Sequence, residues 1–262
     1  MGAQNLVMDL TKRGHKMEYT QGRVLCWFSC GDASAVAAKL AIKKYGDRCE
    51  VLYCDTSAYE HHDNLRFMID IEQWLGVKIK ILKSDKYDDI YDVFEKTRFL
   101  RSRQGARCIT ELKKNVRKKY QRVDDIHIFG FSLEEKHRMD RFFKENPDIL
   151  AEFPLIDNNV TKNDCHQIIR SAGIDLPAMY KLGYHNNNCI GCVKGKKGYW
   201  NKIRVDFPDI FWKMAKLERE LNFSLCDVFL DELPPNAGRY KDEPDIECGV
   251  LCLSYDDNET RP

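Results

Sequence analysis

Cysteine is the residue type that offers this chain the most chemistry. The chain has 11 cysteines among 262 residues, and Cys189 and Cys192 form a C-x-x-C pair that lets two sulfurs face one side of a loop. The odd number, the chain length and the lack of an apolar export signal favour reduced thiols and a metal or cluster site over disulfides. Cys248 and Cys252 are further candidate ligands or reactive thiols. Five more are interpreted as packing residues: Cys26, Cys49, Cys54, Cys165 and Cys226.

A second group of residues has the composition of a phosphate-binding turn. Ser29, Gly31 and Ser34 lie between a short apolar segment and an Ala-rich segment typical of a helix. Small residues let backbone N–H groups approach a phosphate at a helix N-terminus. Cys30 is interpreted either as a small packing residue or as a reactive thiol with a lowered pKa. The turn lacks the lysine of a Walker-type loop.

Strands and helices that alternate along the chain must position these groups. Strands are predicted at 24–29, 49–57, 77–83 and 125–132. Helices are predicted at 34–45, 61–76, 88–100, 108–123 and 161–173. This order predicts an α/β protein with three layers, α/β/α, and a mostly parallel sheet. Ligands of such sheets bind at the carboxyl ends of the strands.

Two regions of the chain are expected to differ in organisation. The α/β domain is predicted to cover residues 20–215, and residues 216–262 form a C-terminal extension that carries Cys248 and Cys252. No apolar run reaches the about 18 residues of a membrane-spanning helix, so we expect no membrane partner and a cytoplasmic location.

Short stretches, in order along the chain, resemble one known family. They are FSCGDASAV (28–36), LYCDTSAYEHHDNLRFM (52–68), RCITELKK (107–114), IFGFSLEEKHRM (128–139), FPLID (153–157) and the C-x-x-C segment. Over roughly residues 22–215 the chain resembles phage or bacterial members of the phosphoadenylyl-sulfate (PAPS) reductase family, in the adenine-nucleotide alpha-hydrolase (PP-loop) superfamily. PP-loops typically read Ser-Gly-Gly-x-Asp-Ser. Here Cys30 replaces a glycine and Ala33 replaces the aspartate.

The resemblance implies a site for an adenine nucleotide, either ATP or adenylyl sulfate. The matching positions are Ser29, Cys30, Gly31, Ser34, Asp55, Thr56, Lys113, Gly130 and Arg138. Reductases of this family also carry a C-terminal Glu-Cys-Gly whose cysteine attacks the sulfur of the activated sulfate. Cys248 matches that catalytic cysteine, and Cys252 is a candidate to resolve the intermediate. Leu251 stands where the family has a histidine.

The resemblance also implies a [4Fe–4S] cluster. Cluster-containing relatives show a Cys-Cys pair and then a C-x-x-C, with a gap similar to that between Cys108 and Cys189. Arg107 replaces the first cysteine of the pair. The implied ligands are Cys108, Cys189, Cys192 and Cys248. Zinc held by four cysteines and free redox thiols are the alternatives.

These features allow three hypotheses for function. The first is an iron–sulfur oxidoreductase that acts on (phospho)adenylyl sulfate. The second is an ATP-dependent sulfurtransferase that acts on tRNA or DNA, because residues 96–122 hold eleven Lys or Arg against one acid and residues 194–204 are also basic. The third is a non-catalytic, nucleotide-binding regulatory protein. A homodimer is possible in each case.

Overall fold

The central sheet is built from short apolar segments that lie parallel to one another. A computed structural model describes residues 22–102 and 105–248. Within these residues the strand order is β3-β2-β1-β4-β5, and every neighbouring pair is parallel. The strands are β1 (Val24–Phe28), β2 (Cys49–Cys54), β3 (Ile79–Leu82), β4 (Ile126–Ile128) and β5 (Ala151–Glu152). All five residues of β1 are buried, as expected for a central strand covered on both faces.

Helices follow the strands at the places where apolar residues recur with helical spacing. They are α1 (Asp32–Tyr45), α2 (Asp63–Leu75), α3 (Ile90–Thr97), α4 (Arg107–Ile109), α5 (Asn115–Tyr120), α6 (Lys136–Glu145), α7 (Pro154–Asp157), α8 (Lys162–Ser171), α9 (Ala178–Lys181), α10 (Lys197–Asp206) and α11 (Pro208–Leu221). A π-helical turn, Thr110–Lys114, joins α4 to α5. Thr161 caps α8 in a reciprocal capping box with Asp164. None of the helices in the described ranges is long and apolar enough to cross a bilayer.

Helices cover both faces of the sheet, which confirms the predicted three-layer fold. On one face, Val24, Cys26 and Phe28 pack in a single apolar cluster with residues of α1, α2 and α8. On the other face, Leu25 and Trp27 pack with residues of α5 and α6. Alternate residues of β1 therefore belong to different cores, because successive side chains of a strand point to opposite faces.

A third core lies beside the sheet and joins distant parts of the chain. It brings α3 and α4 together with α10, α11 and the residues that follow, around the fully buried Trp200. Glu218 is also fully buried and accepts the backbone N–H groups of Leu225 (2.5 Å) and Leu230 (2.6 Å). The predicted limit between residues 215 and 216 falls inside α11. Leu217, Leu225 and Leu230, which follow this limit, pack into this core. The division into two parts stays a prediction.

The strand order fixes where along the edge of the sheet a ligand can bind. After β3 the chain crosses back over β2 and β1, so β1 and β4 are neighbours whose following loops diverge. Ser29 follows β1, and Gly130 lies just beyond β4. A Cβ atom on Gly130 would lie 2.5 Å from the Cα atom of Ser34. The two loops therefore meet so closely that a side chain at position 130 does not fit.

This contact leads to a prediction about stability. Gly130→Ala should lower the free energy of unfolding by about 1–3 kcal/mol, because backbone atoms must move to admit the methyl group. Chemical denaturation measures the change. Gly31→Ala is the matched control, since its Cβ would meet its nearest neighbour, the Tyr180 hydroxyl, at an ordinary 3.5 Å. Equal stabilities of the two variants would show that the close contact is not present in solution.

Candidate active site

The turn after β1 closes on the N-terminus of α1 through one hydroxyl group. Ser34 Oγ accepts the backbone N–H of Ser29 (3.1 Å) and the Ser29 hydroxyl (3.3 Å), and it donates to the Gly31 carbonyl (2.8 Å). The turn borders a cavity of about 130 Å³ at the carboxyl edge of the sheet. The predicted site residues that line it are Ser29, Gly31, Ser34, Lys113, Gly130, Arg138 and Cys248. We call this space the loop cavity.

Cys30 belongs to the turn, but its side chain points away from the loop cavity. The residue is fully buried, and its sulfur lies 3.5 Å from the Asn64 carbonyl. Burial, together with the charges of Glu60 and Asp63, raises the pKa of the Cys30 thiol well above its ordinary value. The interpretation as a thiol with a lowered pKa is therefore wrong. Cys30 is a packing residue with an unusual backbone, at φ +58°.

Below the turn lies a buried group that sequence reasoning missed. Asp32, the first residue of α1, accepts the Tyr180 hydroxyl at 2.8 Å, and its second oxygen lies 2.8 Å from His166 Nδ1. Its side chain is 1% exposed. The sequence signal for Asp32 was an acidic residue in the first turn of a helix. Its partners are more than 130 residues away in the chain, so no local pattern links them.

Asp55 and Thr56 directly follow β2, which ends at Cys54, and they do not line the loop cavity. Asp55 accepts Ser57 N (3.0 Å) and Ser57 Oγ (2.6 Å) and pairs with Lys83 (3.1 Å). Burial raises the pKa of Asp55, but these partners outweigh it and lower the pKa overall. Thr56 donates to Glu60 at 2.6 Å and faces a different cavity. Direct contact of either residue with a nucleotide stays a prediction.

The four cysteines proposed as cluster ligands line one cavity, which we call the cysteine cavity. They are Cys108, Cys189, Cys192 and Cys248. Burial, followed by the charge of Cys248, raises the pKa of Cys192 to about 11. Burial also raises the pKa of Cys108 and Cys189. Across residues 22–102 and 105–248, no three His, Cys, Asp or Glu side chains form a group ready to hold a metal ion. Cys252 lies outside the described residues.

The C-x-x-C loop owes its shape to contacts with its surroundings. Ile190 N donates to the Tyr59 carbonyl at 2.7 Å. The Tyr199 hydroxyl accepts Cys192 N at 2.9 Å and donates to the Cys189 carbonyl at 3.3 Å. Gly191 adopts φ +75°, which favours glycine. The loop is therefore held from both sides, so that its two sulfurs face the same cavity.

Lys113 and Cys248 join the two cavities. Both residues line the loop cavity and the cysteine cavity. Lys113 Nζ lies 3.5 Å from the sulfur of Cys248. Burial would lower the pKa of Lys113, but electrostatic interaction with the neighbouring Cys248 and Cys189 outweighs burial and raises the pKa. A cation is thus placed between the cysteine sulfurs and the turn after β1.

The chain segment that carries Cys248 lies across the mouth of the loop cavity, and we call residues 243–248 the C-terminal strap. Its Asp245 pairs with Lys162 (2.9 Å) and lies 3.2 Å from His185 Nδ1. Its Glu247 pairs with Arg141 (2.6 Å) and lies 3.8 Å from Arg138. Burial raises the pKa of Glu247, but His137, Arg138 and Arg141 outweigh it and lower the pKa. Two carboxylates of the strap therefore form ion pairs with basic side chains at the cavity mouth.

Many basic residues of the segments 96–122 and 194–204 form contacts within the folded chain. Arg101 donates to the Leu225 carbonyl at 2.7 Å, and Arg107 pairs with Glu111 at 2.9 Å. Arg117 is buried, and Lys113 lies in the cavities. In the second run, Arg204 donates to carbonyls after α11. Binding of nucleic acid by these runs stays a prediction, with fewer cations to support it than the sequence suggests.

The fold and site together define a class of protein. A parallel sheet with order 3-2-1-4-5 and a small-residue turn before α1 are typical of nucleotide-binding α/β domains. The chain belongs to the phosphoadenosine phosphosulfate reductase family, because the model of the phosphoadenosine phosphosulfate reductase domain matches residues 23–196, more than half of the chain. The PAPS reductase and PP-loop resemblance is thereby confirmed.

A relative from an archaeon is similar over much of the chain. An uncharacterized protein of Methanocaldococcus jannaschii is 25% identical over 209 residues, which cover 75% of this chain. The match spans 42% of that protein's length, less than half of it. This relative adds no reaction to the family assignment.

The ion pairs of the strap allow a test of the cavity mouth. Glu247→Gln should strengthen the binding of AMP on the order of fivefold, because a carboxylate no longer competes with a phosphate for Arg138 and Arg141. Isothermal titration calorimetry measures the affinity. Asp242→Asn is the control, since Asp242 pairs with Arg239 (2.9 Å) outside the cavity. Weaker binding by Glu247→Gln would mean that the strap supports the ligand and does not compete with it.

Proposed function

We propose that this chain binds an adenylylated sulfur compound and reduces its sulfur, with Cys248 as the attacking thiol. The observation that supports this most is the position of Cys248, which lines the loop cavity and the cysteine cavity together with Lys113. A thiol placed beside a nucleotide-binding turn is what attack on an activated sulfate requires. The family assignment supports a substrate of this class.

The loop cavity offers separate surfaces for the parts of such a substrate. The turn at Ser29 and Gly31, with the N-terminus of α1 behind it, suits the phosphate of the adenylyl group. Phe129 and Phe131 line the same space and offer apolar surface to a purine. Lys113 suits the developing negative charge next to Cys248. Each part of an adenylyl sulfate thus has a chemically matched partner.

The proposed reaction balances with thiols as the reductant. The Cys248 thiolate attacks the sulfur of adenylyl sulfate, an S–S bond forms, the S–O bond breaks, and AMP leaves. A second thiol then attacks the Cys248 sulfur, which releases sulfite and leaves a disulfide. Two thiols lose two electrons, and the sulfate sulfur gains them. Cys252 or an external dithiol would supply the second thiol, and Lys113 would stabilise the negative charge that develops beside Cys248.

The cysteine cavity has the donor set for an iron–sulfur cluster. Cys108, Cys189 and Cys192 are soft ligands that face one space, and Cys248 is available as a fourth. A [4Fe–4S] cluster, once bound, would supply redox-active iron beside Lys113. Zinc is the alternative for the same thiols. Cys248 cannot be a cluster ligand and the attacking nucleophile at the same moment, so the two roles need separate tests.

The cluster proposal predicts that the protein is coloured and that substitution of a ligand cysteine removes the colour. Protein purified without oxygen should absorb near about 400 nm, and Cys189→Ser or Cys192→Ser should remove the absorbance together with iron and sulfide, because thiolate ligands are lost. Metal and sulfide analysis measures both. Cys49→Ser is the control, since Cys49 begins β2, outside the cysteine cavity. One equivalent of zinc without iron or sulfide would contradict the cluster.

The role of Cys248 predicts a separate result. Cys248→Ser should keep the iron content of the unaltered protein, yet release no sulfite from adenylyl sulfate in the presence of a dithiol. Sulfite and AMP are measured in the same reaction. Loss of iron in Cys248→Ser would assign Cys248 as a ligand. Cleavage of ATP to AMP and pyrophosphate, with no sulfite from adenylyl sulfate, would instead favour the ATP-dependent sulfurtransferase.

A further inference from the structure

Three consecutive asparagines, residues 186–188, lie just before the C-x-x-C pair, and each contacts a different part of the site. The first accepts the Lys162 ammonium group at 2.6 Å. The second donates to the Cys30 carbonyl at 2.6 Å. The third donates to the Ile246 carbonyl of the C-terminal strap at 3.0 Å. Neither the sequence motifs nor the proposed reaction gives these residues a role.

The middle asparagine, Asn187, is the one built into the nucleotide-binding turn. It is 6% exposed, and its Nδ2 donates both to the Cys30 carbonyl and to Asn64 Oδ1 (2.8 Å). Asn187 therefore reaches the turn directly, through the Cys30 carbonyl.

The carbonyl that Asn187 holds belongs to a residue with a costly backbone. Cys30 has φ +58°, in the left-handed region, which costs a non-glycine residue about 1–2 kcal/mol. Such a conformation persists where the surroundings impose it. The hydrogen bond from Asn187 is a contact that does so, because it fixes the direction of the Cys30 carbonyl.

The direction of this carbonyl also decides where the next N–H points. In a trans peptide unit the C=O and N–H groups point in opposite directions. Fixing the Cys30 carbonyl on Asn187 therefore turns the Gly31 N–H away from Asn187. Gly31 lines the loop cavity, at the N-terminus of α1. Backbone N–H groups at this position are the donors that a bound phosphate needs.

We propose that Asn187 is a positioning residue for phosphate binding: it holds the strained Cys30–Gly31 peptide in the orientation that receives the nucleotide. The inference rests on the proposed function, which places the nucleotide phosphate at this turn. Cys189 follows two residues later, so the same short segment ties the turn to the cysteine cavity. The asparagine fixes the relative position of the two cavities.

A double-mutant cycle tests this role, with AMP as the probe. Asn187→Ala should weaken AMP binding about tenfold, the effect of one buried hydrogen bond. Cys30→Gly supplies the second background of the cycle, because glycine takes positive φ without a steric penalty, and its own AMP affinity is the reference for that background. In the Cys30→Gly background, Asn187→Ala should weaken AMP binding by about threefold or less. Calorimetric titration and the unfolding midpoint are measured for each variant.

Two further variants control for unfolding and for general loss of an amide. Asn187→Asp keeps the shape but removes the donor, so it should lose AMP affinity at least as strongly as Asn187→Ala, and it provides the test if the alanine variant does not fold. Asn201→Ala removes an asparagine that donates to the carbonyls of Pro234 (2.9 Å) and Ala237 (2.8 Å), outside the loop cavity. It should bind AMP like the unaltered protein.

The outcomes separate this inference from the function on which it rests. Unchanged AMP affinity in Asn187→Ala, or an equal loss with and without the Cys30→Gly substitution, would overturn the positioning role and leave nucleotide binding intact. An unaltered protein that binds neither AMP nor adenylyl sulfate would overturn the proposed function, and the positioning role with it. A loss of AMP affinity on Asn187→Ala that is smaller in the Cys30→Gly background would support both the positioning role and the proposed function.

Discussion

The close contact between Gly130 and Ser34 is the constraint on which the rest of the site depends. It brings the chain after β4 against the start of α1, at the point where the strand order reverses. Because the two loops diverge from this contact, a cavity opens between them at the carboxyl edge of the sheet. The turn after β1, the rings of Phe129 and Phe131 and the C-terminal strap all border the loop cavity.

Several charged side chains lie around the loop cavity, where partial burial reduces their screening by water. Lys113 lies beside the cysteine cavity, and its 3.5 Å contact with Cys248 joins that cavity to the loop cavity. The strap adds Asp245 and Glu247, which neutralise Lys162 and Arg141 at the mouth. Opposite charges brought together in a partly buried site interact more strongly than at the surface. An anionic ligand must therefore exchange these pairs for its own.

The departure of this turn from the usual Ser-Gly-Gly pattern has a physical explanation. The position of Cys30 needs a left-handed backbone, which glycine adopts freely and cysteine does not. Here the thiol packs in a fully buried place, and Asn187, Asn64 and Tyr180 surround the turn with hydrogen bonds. The cysteine is thus tolerated because neighbouring groups hold the backbone, and its sulfur is not part of the cavity.

The sequence by itself determined the three-layer fold and most element positions, because apolar periodicity and glycine punctuation act locally. The turn at Ser29 and the C-x-x-C pair were also visible in it, since such short spacings need no tertiary information. The family, and with it Cys108 and Cys248 as site residues, followed from the resemblance of short motifs. Only the tertiary structure decided which partners meet: Asp32 with His166 and Asn187 with Cys30 are each more than 130 residues apart. It also turned Asp55 away from the loop cavity and drew residues after 215 into a core. Such outcomes depend on how separate elements pack against one another, and no local pattern encodes that packing.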